Sequence, residues 1–272
     1  MNELYSICWN ITSKCNQKCK FCYRKHCKDN TLRQNKKIFD NLSQIKINKI
    51  TFSGGEPLMY EELFELVDYI RSKNSNIVLS ITTNGKKIDD TTLNKIIKKF
   101  DWITFSIDSL NETINEEIGR GQEHSKKIIQ LLKKCNNKIK IKINTVASKY
   151  NINDLEDFYK TISRYKISRW KILVFWSLRN AKTNEDMFKL NDSQIKSISK
   201  FVNKKNKEKL SMKIHFNDFN EFTTSYFTVY SDGSVENMKN EEVGNLLNND
   251  ISEILLAKQN ELVNHKLRNN IQ

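Results

Sequence analysis

Proline is nearly absent from this chain: Pro57 is the single one in 272 residues, and glycine is scarce at seven. No Pro-rich or Gly/Ser-rich stretch marks a linker, so the chain reads without an internal hinge. No apolar run approaches the length of a membrane span, and Met1 to Leu4 lacks the basic-then-apolar start of a secretory signal. Six cysteines, unevenly scattered, do not suggest a disulfide framework; they fit a reducing interior, and the expectation is a cytoplasmic, soluble protein. Acidic side chains are outnumbered 32 to 46, for a formal charge of +14. Such an excess steers anionic ligands such as nucleotides, or supports a nucleic-acid surface. Much of it lies on solvated helix faces, as at Lys95, Lys98 and Lys99. The informative cations are therefore individually placed ones.

Three of the cysteines are close together. Cys15, Cys19 and Cys22 form a Cys-x3-Cys-x2-Cys run with Phe21 before the last thiol. Three thiolates from one loop can hold three irons of a 4Fe–4S cubane and leave the fourth without a protein ligand. An open position distinguishes a catalytic metal centre from a closed structural one. The competing reading is zinc, completed by His26 or Cys27, although these lie too close to Cys22 for an ordinary second ligand pair. Cys8, Cys27 and Cys135 read as small buried residues.

Apolar strand-like runs alternate with helix-period runs to about residue 210. Strands are expected at Leu4 to Thr12, Lys49 to Ser53, Ile77 to Thr83, Trp102 to Ile107, Ile139 to Val146 and Trp170 to Phe175. Helices are expected near Glu61 to Arg71, around Leu93 to Phe100, near Glu123 to Lys133 and at Leu155 to Arg164. In the first, Leu63, Phe64, Val67 and Ile70 share a face. Six βα repeats imply parallel strands with right-handed crossovers, curled into a partial (β/α)6 barrel whose reactive face is at the strand C-terminal ends. Residues 1–210 form this α/β unit. Residues 211–272 read as an extension that closes the pocket, with a hairpin at Tyr226 to Tyr230 and Val235 to Met238 around an Asp-Gly turn and a helix at Ile251 to Val263.

Thr51-Phe52-Ser53-Gly54-Gly55-Glu56-Pro57 closes the second strand. Two glycines let backbone approach a ligand closely, and the carboxylate can accept from an ammonium group. About thirty residues after the cysteines, this segment resembles the amino-group-binding motif of the radical S-adenosylmethionine (radical SAM) superfamily. Ile118-Gly119-Arg120-Gly121-Gln122, Lys142-Ile143-Asn144, Arg169-Trp170-Lys171 and Ser225-Tyr226 follow in order. They resemble viperin and its prokaryotic relatives, the SAM-dependent nucleotide dehydratases of antiviral defence. The likeness runs from about Tyr5 to Tyr226.

Independently of family, Lys142 and Asn144 alternate on a strand and so point to one face, as do Arg169 and Lys171 on the next. Burying such cations is expensive without an anion, and the adjoining sequence offers no carboxylate, so a polyphosphate is the natural counter-charge. The alternative is that they snorkel to the rim, an even choice for Lys49 alone.

The resemblance implies roles position by position. Cys15, Cys19 and Cys22 would ligate a 4Fe–4S cluster. Gly54, Gly55 and Glu56 would hold the amino group of S-adenosylmethionine, Ser106 and Arg120 would contact that cofactor, and Asn84 would line its ribose side. Lys49, Lys142, Arg169 and Lys171 would bind triphosphate, Asn144 would sit by the substrate ribose, and Tyr226 would stand beside the reacting sugar. From the residues alone, Tyr226 reads as a core tyrosine, and Arg120 could equally pair with Glu116 or Glu117 on a surface turn. The implied reaction begins with one-electron cleavage of the cofactor and hydrogen abstraction from C4′. The 3′-hydroxyl then leaves as water, and a flavodoxin or ferredoxin supplies electrons. The 3′-deoxy-3′,4′-didehydro product would terminate viral transcripts. Cytidine triphosphate is the leading substrate, with uridine and guanosine triphosphate open, because Cys8-Trp9-Asn10 replaces residues that lie near the base in animal members. No amphipathic N-terminal extension is seen, so membrane anchoring is not expected; no appended RNA-binding module is found, so no stable nucleic-acid partner is expected.

Two alternatives stand beside this. One is a radical SAM enzyme acting on RNA or a peptide; peptide-modifying relatives generally add C-terminal cysteines, and none follows Cys135 here. The other is a non-catalytic zinc or nucleic-acid-binding protein, which leaves Gly54-Gly55-Glu56 unexplained.

Overall fold

The computed structural model describes residues 5–208, 212–217, 227–237 and 240–257. Among the described residues ten strands form one sheet: β1 (Tyr5–Thr12), β2 (Ile47–Gly54), β3 (Val78–Thr83), β4 (Trp102–Ser106), β5 (Lys140–Ala147), β6 (Arg169–Val174), β7 (Lys213–Asn217), β8 (Phe227–Val229), β9 (Ser234–Glu236) and β10 (Glu242–Asn245). Their order is β10-β9-β8-β1-β2-β3-β4-β5-β6-β7. β1 to β7 run parallel in sequence order, and β8 joins β1 in parallel. β9 and β10 then add antiparallel. Among the described residues the sheet is open, as expected of a partial barrel, but β7 and β8 bring its parallel strands to eight, two more than the six expected.

The connections include α1 (Leu32–Leu42), α2 (Leu63–Lys73), α3 (Asp90–Lys99), α4 (Glu112–Glu117), α5 (His124–Cys135), α6 (Leu155–Ile162), α7 (Glu185–Phe188) and α8 (Asp192–Lys207), with α9 (Ile251–Ala257) near the end. α1 and α8 were not expected. Each starts with a capping box, Thr31 with Gln34 and Asn191 with Gln194, which satisfies N-terminal donors that the sparse apolar residues could not hide. On α2, Leu66 rather than Phe64 completes the buried face; Phe64 instead packs edge-on against Phe100. The expected hairpin ends, Tyr226 and Met238, and helix residues 258–263 lie outside the described residues.

Parallel strands normally read as continuous apolar runs because both faces are covered. Here they alternate. Ile7, Trp9, Ile50, Phe52, Leu79, Ile81, Ile103, Phe105, Ile141, Ile143, Trp170 and Ile172 are all buried on the helix-covered side. The opposite face carries polar groups in register: Cys8, Thr51 and Ser80 in one row, Thr104, Lys142 and Arg169 in another. This polar face is concave. The Lys49 ammonium on β2 feels Arg169 and Lys171 on β6, and the Cys8 thiol on β1 feels Lys142 and Lys171. Among the described residues no helix is long and apolar enough to cross a membrane.

Candidate active site

The cysteine loop follows β1 and has no regular structure of its own, so its shape is imposed from both sides. On one side the β2 turn docks on it: Gly55 N–H donates to Thr12 O at 2.7 Å and Glu56 N–H to Lys14 O at 2.8 Å. A Cβ on Gly54 would overlap Thr12 O, and one on Gly55 would overlap Lys14 O. On the other side Lys20 N–H donates to Ile118 O at 3.0 Å and Lys18 N–H to Gly119 O at 3.3 Å; a Cβ on Gly119 would overlap Lys18 O. Asp29 fastens the loop's start, accepting from Thr12 Oγ1 at 2.6 Å and Ser13 N–H at 2.9 Å. The close backbone approach for which glycine was expected is thus the approach of the cysteine loop itself.

Cys15, Cys19 and Cys22 are partly exposed free thiols on this clamped loop. Burial pushes the Cys19 thiol up to about 11, and the Arg120 guanidinium pulls the other way. Among the described residues no three His, Cys, Asp or Glu side chains converge on a single-ion position. A cubane binds each thiolate through a different iron, so convergence on one point is not required of it. Three thiols without a fourth ligand fit a cluster with one open iron better than closed zinc. The zinc candidates are engaged elsewhere: Cys27 hydrogen-bonds Asp232, and His26 Nε2 lies 3.4 Å from Asn180 Nδ2.

Behind the loop, Glu56 is fully buried. Its carboxylate accepts from Thr83 Oγ1 at 2.7 Å, Asn84 N–H at 2.8 Å and Leu58 N–H at 3.3 Å. Burial raises its pKa against these bonds. Asn84 Nδ2 donates to Asn16 Oδ1 at 2.8 Å and reaches within 3.9 Å of Cys15 Sγ. Asn84 is therefore joined to the cysteine loop.

Arg120 does not pair with Glu116 or Glu117 on a surface turn. Its Nε donates to the fully buried Asp108 at 2.7 Å, its Nη1 to Gln17 Oε1 at 3.1 Å, and its guanidinium lies 5.1 Å from the centre of the Phe21 ring. Against the cost of burial, Asp108, twelve residues back, keeps the Arg120 pKa above the usual guanidinium range. Gln17 Nε2 in turn donates to Arg120 O at 2.8 Å. His124 Nε2 is 2.9 Å from Ser106 O, and burial, with Arg120 adding to it, pulls its pKa down to about 4. Sequence reasoning missed Gln17, Asp108 and His124. The signal for Asp108 was its place just past the fourth strand, two residues after Ser106.

On the polar wall, Lys142 faces Arg169 and Asn144 faces both Ser106 and Lys171. The alternation pairs therefore do share one face. Lys171 is buried, and Lys142 and Lys171 each take part in further interactions. Lys49 and Lys140 lie 5.3 and 5.4 Å from the centre of the Trp102 ring. Burial, then Arg169, pull the half-buried Lys49 down to about 8, with the exposed Asp101 opposing. Burial pushes the Cys8 thiol up to about 11, against Lys142 and Lys171. Asn144 Oδ1 is buried and has no hydrogen-bond partner among the described residues. Tyr226 lies outside the described residues.

The sequence pattern of the radical SAM superfamily matches residues 9–162. A protein of Flammeovirga pacifica named S-adenosylmethionine-dependent nucleotide dehydratase is 31% identical over 231 residues, 76% of this chain and 74% of that one. This chain belongs to the radical SAM superfamily and, within it, to the nucleotide dehydratase family. A Selenomonas ruminantium protein of the same name is 33% identical over 182 residues, 62% of this chain and 65% of that one. The coverage varies, and the chain spans only 43% of the Lacinutrix mariniflava relative. Among solved structures, Streptococcus suis SuiB bound to its precursor peptide superposes with a TM-score of 0.78 at 16% identity, covering 93% of this chain and 65% of that one. anSMEcpe with bound AdoMet gives 0.69 at 18%, covering 95% and 82%. At these identities the two structures establish the fold alone. A 4Fe–4S cluster and S-adenosylmethionine are the cofactors of this radical SAM protein, and the clamped three-cysteine loop accords with them.

Proposed function

We propose that this radical SAM protein dehydrates the ribose of a nucleoside triphosphate, cytidine triphosphate first among candidates, to its 3′-deoxy-3′,4′-didehydro form. The observation that carries the reading is the cationic wall of Lys142, Arg169 and Lys171, on the same concave face as Asn144 and Ser106, in a sheet whose strand ends carry the cysteine loop. When bound, the cluster and S-adenosylmethionine supply one-electron cleavage and hydrogen abstraction, chemistry that side chains lack.

The chain's own groups bind and orient. Cys15, Cys19 and Cys22 would hold the cluster. Gly54, Gly55 and Glu56 would hold the cofactor's amino group, with Asn84 and Ser106 beside it. Arg120 has N–H groups beyond those given to Asp108 and Gln17, and these suit the cofactor's carboxylate. Lys49, Lys142, Arg169 and Lys171 would neutralise the polyphosphate. Asn144 Oδ1, buried and unpartnered among the described residues, would accept from a ribose hydroxyl. Cys8 would lie by the base, Tyr226 beside the sugar, and residues 211–272 would close the pocket against water. A flavodoxin- or ferredoxin-type donor would supply electrons, and a product without a 3′-hydroxyl would end viral transcripts.

Anaerobic incubation of reconstituted protein with S-adenosylmethionine, dithionite and each nucleoside triphosphate in turn tests this by mass spectrometry. One nucleotide is expected to return lighter by one water. Unaltered nucleotides throughout the panel would overturn the reading, and modification of RNA or a peptide would replace it.

A further inference from the structure

The outermost parallel strand brings in a group that the reading above leaves unused. In the β6–β7 register Arg169 faces Lys213 and Lys171 faces His215. Lys171 also faces Asn144 across β5, so Asn144, Lys171 and His215 form one row over three strands of the polar wall. The two ends of that row share a property. Asn144 Oδ1 and His215 Nε2 are both buried, and neither has a hydrogen-bond partner among the described residues. Buried polar atoms are nearly always satisfied, and an unsatisfied pair in one row points to a ligand that completes both.

The charges that face the ring are cations from three strands: Arg169 and Lys171 on β6, Lys142 on β5, and Lys213 on β7 itself. On the other face of β7, α8 contributes Lys205, which is already paired with Glu156 and Glu208. Burial, and then these cations, keep the imidazole neutral and pull its pKa down to about 4. A polyphosphate entering beside Lys171 reverses the local field. We propose that His215 is a further phosphate-binding residue, whose Nε2–H donates to a phosphoryl oxygen of the bound nucleotide. The ring takes up a proton as the anion enters. The inference rests on the nucleotide reading of the lumen, and it adds a group that the viperin-like motifs do not contain.

Proton uptake on binding makes affinity rise as pH falls, by up to about tenfold per pH unit until the ring is protonated in the free protein as well. The terminal phosphate and Lys49 also titrate, so the test is a difference between proteins. Titration calorimetry on anaerobic, cluster-reconstituted wild type, His215→Gln and His215→Phe, in two buffers of unlike ionisation enthalpy near pH 6, reads the protons directly. The probes are the four nucleoside triphosphates and inorganic tripolyphosphate. Unfolding midpoints and iron content establish that the variants are folded. Wild type is expected to take up close to one proton more than His215→Gln on every probe that binds, and His215→Phe to bind about tenfold more weakly.

Equal proton uptake and equal affinity in all three proteins overturn the inference and leave the nucleotide reading intact. A difference with nucleotides that vanishes with tripolyphosphate overturns the phosphate assignment and moves the ring to the sugar or base. If wild type binds neither nucleotide nor tripolyphosphate, the nucleotide reading fails and this inference fails with it.

Discussion

Gly119 and Gly121 flank the same arginine and share a φ of +86°, yet a methyl group should affect them differently. At Gly121 nothing lies within 4 Å of a new Cβ. Gly121→Ala therefore meets only left-handed backbone strain, about 1–2 kcal/mol. At Gly119 the same strain is joined by overlap with Lys18 O, so Gly119→Ala pushes the cysteine loop off its seat. Iron and sulfide analysis after reconstitution should find the cluster retained in Gly121→Ala and depleted in Gly119→Ala; equal retention would refute the clamp. Lys49 offers a second test. Its pKa falls from 10.5 unfolded to about 8 folded, so burial of the charged form opposes folding fully below pH 8. That penalty fades as pH rises from 8 to 10.5. Lys49→Met should therefore be more stable than wild type at neutral pH, with the gap closing over that range, while its affinity for nucleotide drops. Denaturant unfolding against pH, with nucleotide titration, checks both. At this scale the sequence reads unevenly. Lys142 with Asn144 and Arg169 with Lys171 were legible because strand alternation is strict. The partner of Arg120 was not, because the turn at Gly119 carries the arginine away from Glu116 and Glu117 to Asp108, and no periodicity encodes that reversal.

The C-terminal hairpin is tied to the segment after the cysteine loop by Lys25 to Ser234 Oγ, Cys27 to Asp232, Asn30 N–H to Ser231 O and, most buried of the ties, the carboxylate of Glu236. Glu236 is 8% exposed and receives Lys25 Nζ at 3.0 Å, Tyr230 Oη–H at 2.9 Å and the Arg179 guanidinium. Lys25 follows the last cluster cysteine by three residues, and Arg179 lies beyond β6, so the contact joins three parts of the chain. Glu236→Ala leaves Arg179 without its carboxylate and Lys25 with only the exposed Glu242, and should cost about 3 kcal/mol. Limited proteolysis should then cut within residues 227–250 before the parallel strands are attacked; unchanged cleavage would show that β8–β1 pairing and the remaining ties suffice without Glu236. β1 to β6 were legible as elements because each alternates apolar and polar residues over its length. β7 was not, since Lys213–Asn217 offers only Ile214 and Phe216, and its place depends on long-range pairing with β6. α1 was hidden for a related reason: of its eleven residues only Ile38, Phe39 and Leu42 are buried apolar ones beneath a polar surface.

Across the whole molecule, one sheet separates two environments. The helix-covered face is dry and apolar and supplies the stability. The concave face gathers cations that no core would tolerate, and its upper end meets the cysteine loop. The net charge of +14 suits attraction of a polyanion, but composition does not position the cations; the strand register of Lys142, Arg169 and Lys171 does. On the proposed function, a nucleotide held on the concave face would present its sugar to chemistry begun at the cysteine loop. The most direct measurement is isotope transfer. Reconstituted protein, S-adenosylmethionine, dithionite and a nucleoside triphosphate deuterated at C4′ should yield 5′-deoxyadenosine carrying that deuterium, with yield rising only when the triphosphate is present. Unlabelled 5′-deoxyadenosine formed at the same rate with and without nucleotide would contradict the account.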